Sequence, residues 1–213
     1  MGVALLVAVA TAFVAAQPPA VPRAGETFDV RRYLVQLDLN VEAGTITGRE
    51  QIEAVVQERT AAIVLDSGAL TIDSVKSGGS AMPFRQAAQR LIVTLPVPAR
   101  AGDQRRLDIA YHGAPRTGLT LLAKSAQAYT TFSTSQWMPA VNAPEDRATL
   151  DLEVSMPAGW RATGSGREVE RKESDDREAE WRVEQIEIKS DIDQEQEVHD
   201  VEVIKEDWQR QQP

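Results

Sequence analysis

The stretch YLVQLDLNV, residues 33–41, decides the fold class. Its apolar residues recur at every second position, namely Tyr33, Val35, Leu37, Leu39 and Val41. Successive side chains of a β-strand point to opposite faces of the sheet, so this period of two predicts a strand with one face buried.

The segments that follow repeat this pattern. A turn at Ala43-Gly44 leads into residues 45–56, where Gly48 indicates either a β-bulge or a close approach of the backbone. Further strands are predicted at 63–65, 70–75, 91–95 and 106–111, and turns rich in glycine, serine or proline separate them. Six strand candidates in about eighty residues, with no helix between them, predict an antiparallel all-β sandwich.

The second half of the domain continues in strands. A short β-prone stretch at 129–132 precedes a loop that runs from Trp137 to Pro144. Residues 149–156, TLDLEVSM, alternate again and direct Leu150, Leu152 and Val154 inward. A turn at 157–159 then ends this strand.

The composition excludes several classes of protein. The chain has 213 residues, enough for one ordinary domain, and it contains no cysteine, which excludes disulfide frameworks, iron–sulfur clusters and thiolate zinc sites. His112 and His199 are its only histidines. A zinc site within the chain would need both of them together with carboxylates, and a Ser-His-Asp triad would need one of them. We therefore predict that the chain is not an enzyme by itself.

The net charge of −9 lies at one end of the chain. Residues 1–166 carry 15 basic and 15 acidic side chains, whereas residues 167–213 carry 8 basic and 17 acidic ones. An acidic block repels phosphates and anionic lipids, so the sequence predicts no nucleic-acid partner.

Residues 1–16 are predicted to be a signal peptide. The run VALLVAVATAFVAA, residues 3–16, is uncharged, and Val14-Ala15-Ala16 offers small residues for cleavage before Gln17. Fourteen apolar residues are too few to cross a bilayer, which needs roughly 20, so no transmembrane span is predicted. A buried N-terminal helix is the alternative. With residues 17–27 as a proline-rich linker, we expect export to a periplasm or to the extracellular space.

Two blocks of residues make the order of the strands recognisable. The first contains Tyr33, Leu37, Gly48, Leu65-Asp66 and Tyr111-His112-Gly113. The second contains Trp137-Met138-Pro139, Asn142, Pro144, Arg147-Ala148-Thr149, Pro157, Gly159-Trp160 and Gly164-Ser165-Gly166. Together they resemble the N-terminal β-domain of zinc aminopeptidases of the aminopeptidase N type. The resemblance covers residues 28–185 and implies an antiparallel β-sandwich of that type, with Asn142 in place of the family's aspartate and Arg147 in place of its lysine.

The resemblance also implies zinc chemistry whose residues the sequence does not contain. Catalysis in the family depends on H-E-x-x-H, in which two imidazoles bind zinc and the glutamate activates water. Neither this motif nor the family's G-x-M-E-N strand occurs in residues 1–213. We therefore expect no catalytic residue, no metal ligand and no cofactor in this chain, and zinc only in the full-length family.

The loop around residues 137–147 is the candidate contact surface. Its residues are Trp137, Met138, Pro139, Asn142, Pro144 and Arg147. The resemblance places this loop near the junction with the catalytic domain. In a chain without that domain, the apolar side chains of the loop are expected to be partly uncovered.

Other polar and aromatic residues have ordinary structural explanations. His112 is expected to form a structural hydrogen bond, because no nucleophile or carboxylate adjoins it in the sequence. Glu145 and Asp146 are expected to be a polar loop rather than half of a glycosidase pair. Trp137, Trp160 and Trp181 are expected to pack in the core or between domains rather than to bind carbohydrate.

Residues 186–213 are predicted to be an acidic tail that is either an edge strand or disordered. A truncated gene product, a frameshifted end and a natural short paralogue all remain open as explanations of this tail.

The sequence predicts two alternative functions. The first is a non-catalytic N-terminal domain, or a truncated member, of an exported zinc aminopeptidase-like protein; it supports the catalytic domain and walls the substrate cleft. The alternative is a free-standing secreted β-sandwich that binds a peptide, a glycan or a protein partner.

Overall fold

The computed structural model describes residues 22–143, 147–164, 166–173, 178–188 and 202–205. Most of these residues lie in strands, and the helices among them are two 3-10 turns, η1 (Ala123–Ser125) and η2 (Thr134–Gln136). The strands are β1 (Phe28–Asn40), β2 (Thr45–Val56), β3 (Thr60–Asp66), β4 (Thr71–Ser77), β5 (Ser80–Ala81), β6 (Phe84–Ala87), β7 (Arg90–Ala99), β8 (Gln104–Gly113), β9 (Leu119–Leu122), β10 (Gln127–Thr130), β11 (Ala148–Pro157), β12 (Trp160–Thr163), β13 (Arg167–Glu173), β14 (Glu178–Ile188) and β15 (Glu202–Lys205). The predicted all-β class is confirmed.

The strands form three sheets. The large sheet has the order β13-β14-β11-β1-β2-β8-β4-β5, and the smaller ones have the orders β12-β15-β10-β9 and β3-β7-β6. β1 runs parallel to β11 and antiparallel to β2. A parallel pair needs a crossover connection, which here is the whole chain between Asn40 and Ala148. Apart from the β1–β11 pair, the strand pairs of the described residues are antiparallel, as the sequence predicted.

The centre of the large sheet follows the period of two in the sequence. Tyr33, Val35 and Leu37 of β1 are buried, and so are Leu152 and Val154, which lie opposite Val35 and Leu37 on β11. Full burial of one such aliphatic side chain contributes about 1.5–3 kcal/mol relative to exposure. The inward direction predicted for these residues is confirmed.

Gly48 marks a close approach and not a bulge. The register runs without a shift from Leu37 through Gly48 to Tyr111. A methyl group built on Gly48 would overlap the ring and the hydroxyl of Tyr111. Glycine therefore occupies this position because the ring of Tyr111 lies across it.

The outer face of the large sheet carries paired polar side chains. Arg32 forms an ion pair with Asp151, and Gln51 donates a hydrogen bond of 2.7 Å to Asp108. His112 Nδ1 lies 2.9 Å from Asp73 Oδ1, so this histidine bonds to its neighbouring strand. Cross-strand pairs of this kind stabilise a sheet on its solvent side.

The C-terminal part of the described chain contributes to two sheets. β14 pairs with β11 up to Ile188, which lies opposite Ala148. β15 lies inside the four-stranded sheet, where Val203 is in register with Ala128 of β10 and Ala162 of β12. The predicted tail thus includes a strand with neighbours on both sides. Residues 189–201 and 206–213 lie outside the described residues.

The predicted signal peptide, residues 1–16, also lies outside the described part of the chain. At residue 25 the chain already contacts the domain, because the Gly25 N–H donates to the carbonyl of Val64 at 3.2 Å. In the described ranges no helix is both long enough and apolar enough to cross a membrane.

Candidate functional site

The loop between β10 and β11 approaches β3 and the β6–β7 turn. Ala140 and Asp66 exchange two backbone hydrogen bonds, with N···O distances of 2.8 and 2.9 Å. The Val141 N–H donates to the hydroxyl of the buried Tyr33 at 3.1 Å. The middle of the loop is therefore attached to the body of the domain.

A groove of about 580 Å³ lies between this loop and the β6–β7 turn. Its lining is mostly polar and consists of Asp66, Ala88, Gln89, Arg90, Ser133, Ser135, Gln136 and Asn142. We refer to these eight residues as the polar groove.

The carboxylate of Asp66 joins the two walls of the polar groove. Its Oδ1 lies 3.5 Å from Arg90 Nε on one wall, and its Oδ2 accepts a hydrogen bond from the Asn142 N–H at 3.3 Å on the other. The Asn142 side-chain amide donates to Ser135 Oγ at 2.7 Å. The charge of Asp66 is thus balanced locally, and the groove suits hydrogen bonding to a polar ligand such as a polypeptide.

The backbone around the polar groove is strained. Five non-glycine residues in the described part of the chain have a positive φ; Ala88, Gln89 and Ser133 line the groove, and Phe132 adjoins it. Phe132 and Ser133 have φ of 45° and 48°. Such conformations cost of order 1–3 kcal/mol each and persist at sites where the surrounding structure enforces them. At Ala88 and Gln89 the positive φ belongs to the two-residue turn between β6 and β7. The strain at Phe132 and Ser133 is of the kind that clusters at functional sites, which favours a role for the groove.

Phe132, which precedes the groove residue Ser133 in the chain, is 60% exposed. It is one of the few large hydrophobic residues of the described chain on the surface. Aromatic side chains are enriched in the cores of protein–protein interfaces, so this exposed ring favours contact with another polypeptide.

The structure divides the contact residues that the sequence predicted. Asn142 and Arg147 are exposed, and Pro144 lies outside the described residues. Met138 and Pro139 are buried, and Trp137 is only 5% exposed. The expectation that Trp137 is partly uncovered is wrong, because its indole packs into the core next to Leu119 and Leu152. The contact surface stays a prediction, now carried by Asn142 and Arg147.

Sequence reasoning missed the groove residues that come from other elements. Asp66 was visible only as part of the Leu65-Asp66 pair, and nothing in the residue types of Phe132 and Ser133 indicates a left-handed backbone. Gln89 lies in a tight turn that contains no glycine, so the sequence pattern does not indicate a turn at this position.

The described residues do not form a metal site. No group of three or more histidine, aspartate or glutamate side chains comes together in these ranges. His112 bonds to the carboxylate of Asp73 on the outer face of the large sheet. A protein zinc site needs at least three ligands, so the side chains that the structure describes do not fit zinc.

Gly118→Ala is expected to distort the polar groove. Gly118 has φ of +76°, and an added Cβ would lie 2.5 Å from the carbonyl oxygen of Ser133. Backbone strain together with this contact should lower the free energy of unfolding by about 1–3 kcal/mol. Urea unfolding of Gly44→Ala is the matched control, because Gly44 also has a positive φ but no atom within 4 Å of the added Cβ. Equal losses in the two variants would show that Ser133 imposes no constraint.

Comparisons with known proteins agree with this fold. The family model of the peptidase M1 N-terminal domain matches residues 30–190. The M1 zinc metallopeptidase from Deinococcus radiodurans is 22% identical with a TM-score of 0.72 over 85% of this chain and 43% of that one. A mutant of the Deinococcus enzyme bound to a Tyr-Ser-Ala substrate is 23% identical over the same shares, with a TM-score of 0.72. A mutant two-domain M1 zinc metallopeptidase bound to L-tryptophan is 23% identical, with a TM-score of 0.74 over 85% of this chain and 44% of that one.

At these identities the likeness to solved structures shows the fold alone. The chain spans less than half the length of each of these enzymes. Among curated proteins, none matches the sequence.

Proposed function

Because the chain belongs to the peptidase M1 N-terminal domain family, we propose that it is the non-catalytic β-domain of an exported zinc aminopeptidase-like protein. In this proposal it supports a catalytic domain and provides one wall of the substrate cleft. The polar groove is the proposed wall, and the exposed Phe132 adjoins its residue Ser133 in the chain. The observation that carries this assignment is the strained backbone of residues 132–133 beside a groove of hydrogen-bonding side chains.

The greater length of the related enzymes supports a separate catalytic part of the protein. The matched solved structures extend over more than twice the part that this chain covers. The catalytic part of the proposed protein would then be supplied by further polypeptide, and zinc would be held there. The Deinococcus relative was solved with a tripeptide substrate, which makes peptides the substrate class that we propose.

The isolated chain is expected to bind no stoichiometric zinc and to hydrolyse no aminoacyl arylamide. The reason is that residues 1–213 contain two histidines and no H-E-x-x-H, so neither the ligands nor the general base are present. Elemental analysis after dialysis and an arylamide assay check both statements. About one zinc per chain, with activity that a chelator removes, would contradict them.

The proposal as a whole is tested by isolating the protein from its native cells. We expect it to be recovered with a polypeptide that carries H-E-x-x-H, continuous with it or separate, and with chelator-sensitive aminopeptidase activity. A chain that is always recovered alone, outside any peptidase, would favour the free-standing binding module instead.

A groove variant shows whether the polar groove is the surface involved. Asn142→Trp fills the groove, so it should reduce the recovered peptidase activity. Arg106→Ala is the matched control, since Arg106 pairs with Glu53 at 2.6 Å on the outer face of the large sheet. An equal effect of the two variants would place the contact elsewhere.

A further inference from the structure

One carboxyl group of the core has no hydrogen-bond partner. Glu50 lies at the centre of β2, in register with Val35 of β1 and Ile109 of β8, both of which are buried. Its side chain is 3% exposed, and neither carboxyl oxygen has a hydrogen-bond partner. A buried carboxylate without a partner is strongly unfavourable, so the group prefers to be neutral.

The hydroxyl of Tyr111 is a second unpartnered polar group near Glu50. Tyr111 is fully buried, it faces the core from β8, and its hydroxyl makes no hydrogen bond. In the antiparallel register it lies opposite Gly48, two residues from Glu50 on the same face. Three of the four unpartnered buried side-chain atoms in the described chain therefore belong to this pair of residues.

The strands around Glu50 present no cation to it. On the core face of the neighbouring strands, the described titratable groups are Tyr111, Tyr33 and Arg105. The Tyr33 hydroxyl accepts a hydrogen bond from Val141. Arg105 lies at the end of β8 opposite Ala54, four residues from Ile109, and pairs with Asp103 at 2.8 Å. The buried residues of β3, β7 and β9 are all apolar. Arg49, Asp108 and Asp151 belong to the opposite face of the large sheet, where alternate residues point.

We propose that Glu50, next to Tyr111, is a pH-sensitive element that stabilises the domain at acidic pH and loosens the centre of the large sheet as the pH rises. Protonated, the carboxyl group fits a core that offers no charge partner. Ionised, it requires water, which it obtains only if the packing over β2 opens locally. The element that responds is thus the packing of β2 between β1 and β8.

The direction of the effect follows from proton linkage. Burial raises the pKa of Glu50 well above its ordinary value of 4.5. Burial and the charge of Glu50 likewise raise the pKa of Tyr111. The folded state binds the proton of Glu50 more tightly than the unfolded state does. The contribution of this proton to folding stability is therefore fully present below the pKa that Glu50 has in the unfolded chain, and it is lost as the pH rises through the pKa of Glu50 in the folded chain.

The test is urea unfolding of the full chain at about pH 5 and about pH 8, compared with Glu50→Gln. From the lower to the higher pH, the folding equilibrium constant of the natural chain should fall by a factor about tenfold larger than that of Glu50→Gln. This difference corresponds to about 1.4 kcal/mol. Glu53→Gln is the matched control on the same strand, since Glu53 is paired with Arg106 and partly exposed. Its pH dependence should follow that of the natural chain.

A pH dependence of Glu50→Gln equal to that of the natural chain would overturn the proposal. If Glu50→Gln does not fold, carbon NMR of the labelled natural chain replaces this comparison. A Glu50 carboxyl that titrates well above 4.5 supports the proposal, and one that titrates near 4.5 refutes it.

Discussion

Replacement of Gly48 by alanine is expected to destabilise the domain by about 3 kcal/mol or more. A methyl group at residue 48 would overlap the ring of Tyr111, which is fully buried. The strand must shift or the ring must leave its site, and displacing a buried aromatic side chain costs about 3–5 kcal/mol. Urea unfolding followed by circular dichroism measures the loss.

A double-mutant cycle identifies the cause of this loss. Tyr111→Ala removes the ring, so Gly48→Ala should cost little when it is combined with Tyr111→Ala. Additive losses in the double variant would mean that Gly48 is needed for another reason. Gly113→Ala is the comparison, because Gly113 also has an ordinary φ and its added Cβ would meet first the end of the Leu70 side chain, at 2.9 Å.

Trp137→Ala should cost about 3–5 kcal/mol of folding stability, since it removes a large buried side chain. The indole packs beside Leu37, Leu39 and Val154, where a small apolar gap already exists, so the cavity left behind would be lined mostly by aliphatic groups. Such a cavity stays empty and is not stabilised by water. The free energy of unfolding by urea is again the measurement.

Asn142→Ala is the matched control in the same loop. It removes the hydrogen bond to Ser135 from an exposed side chain and should lower stability by about 1 kcal/mol. If Trp137→Ala leaves stability unchanged but weakens association with a partner, Trp137 belongs to a contact surface after all. If the variant does not fold, Trp137→Phe, with a smaller expected loss, ranks the site against Asn142→Ala.

The sequence determined the fold class and the main strands through their alternation. Residues 33–41 and 149–156 each direct every second apolar side chain to one face, and that local pattern leaves only one way to bury it. The absence of the zinc-binding motif from residues 1–213 is likewise read from the sequence itself, because a zinc site cannot form without its ligand residues.

Only the tertiary structure decided how distant segments meet. The parallel pairing of β1 with β11, the place of β15 between β10 and β12, and the assembly of Asp66, Gln89 and Asn142 into one groove join residues that are far apart in the chain. Trp137 is an aromatic residue in a proline-flanked loop, and its sequence alone fits either a surface or a core. Its burial was decided by the Asp66–Ala140 bridge, because those two backbone hydrogen bonds attach the loop to β3 and its indole lies against the large sheet. Only the tertiary structure shows that the Glu50 carboxyl has no hydrogen-bond partner, because this depends on which side chains the strands around it present.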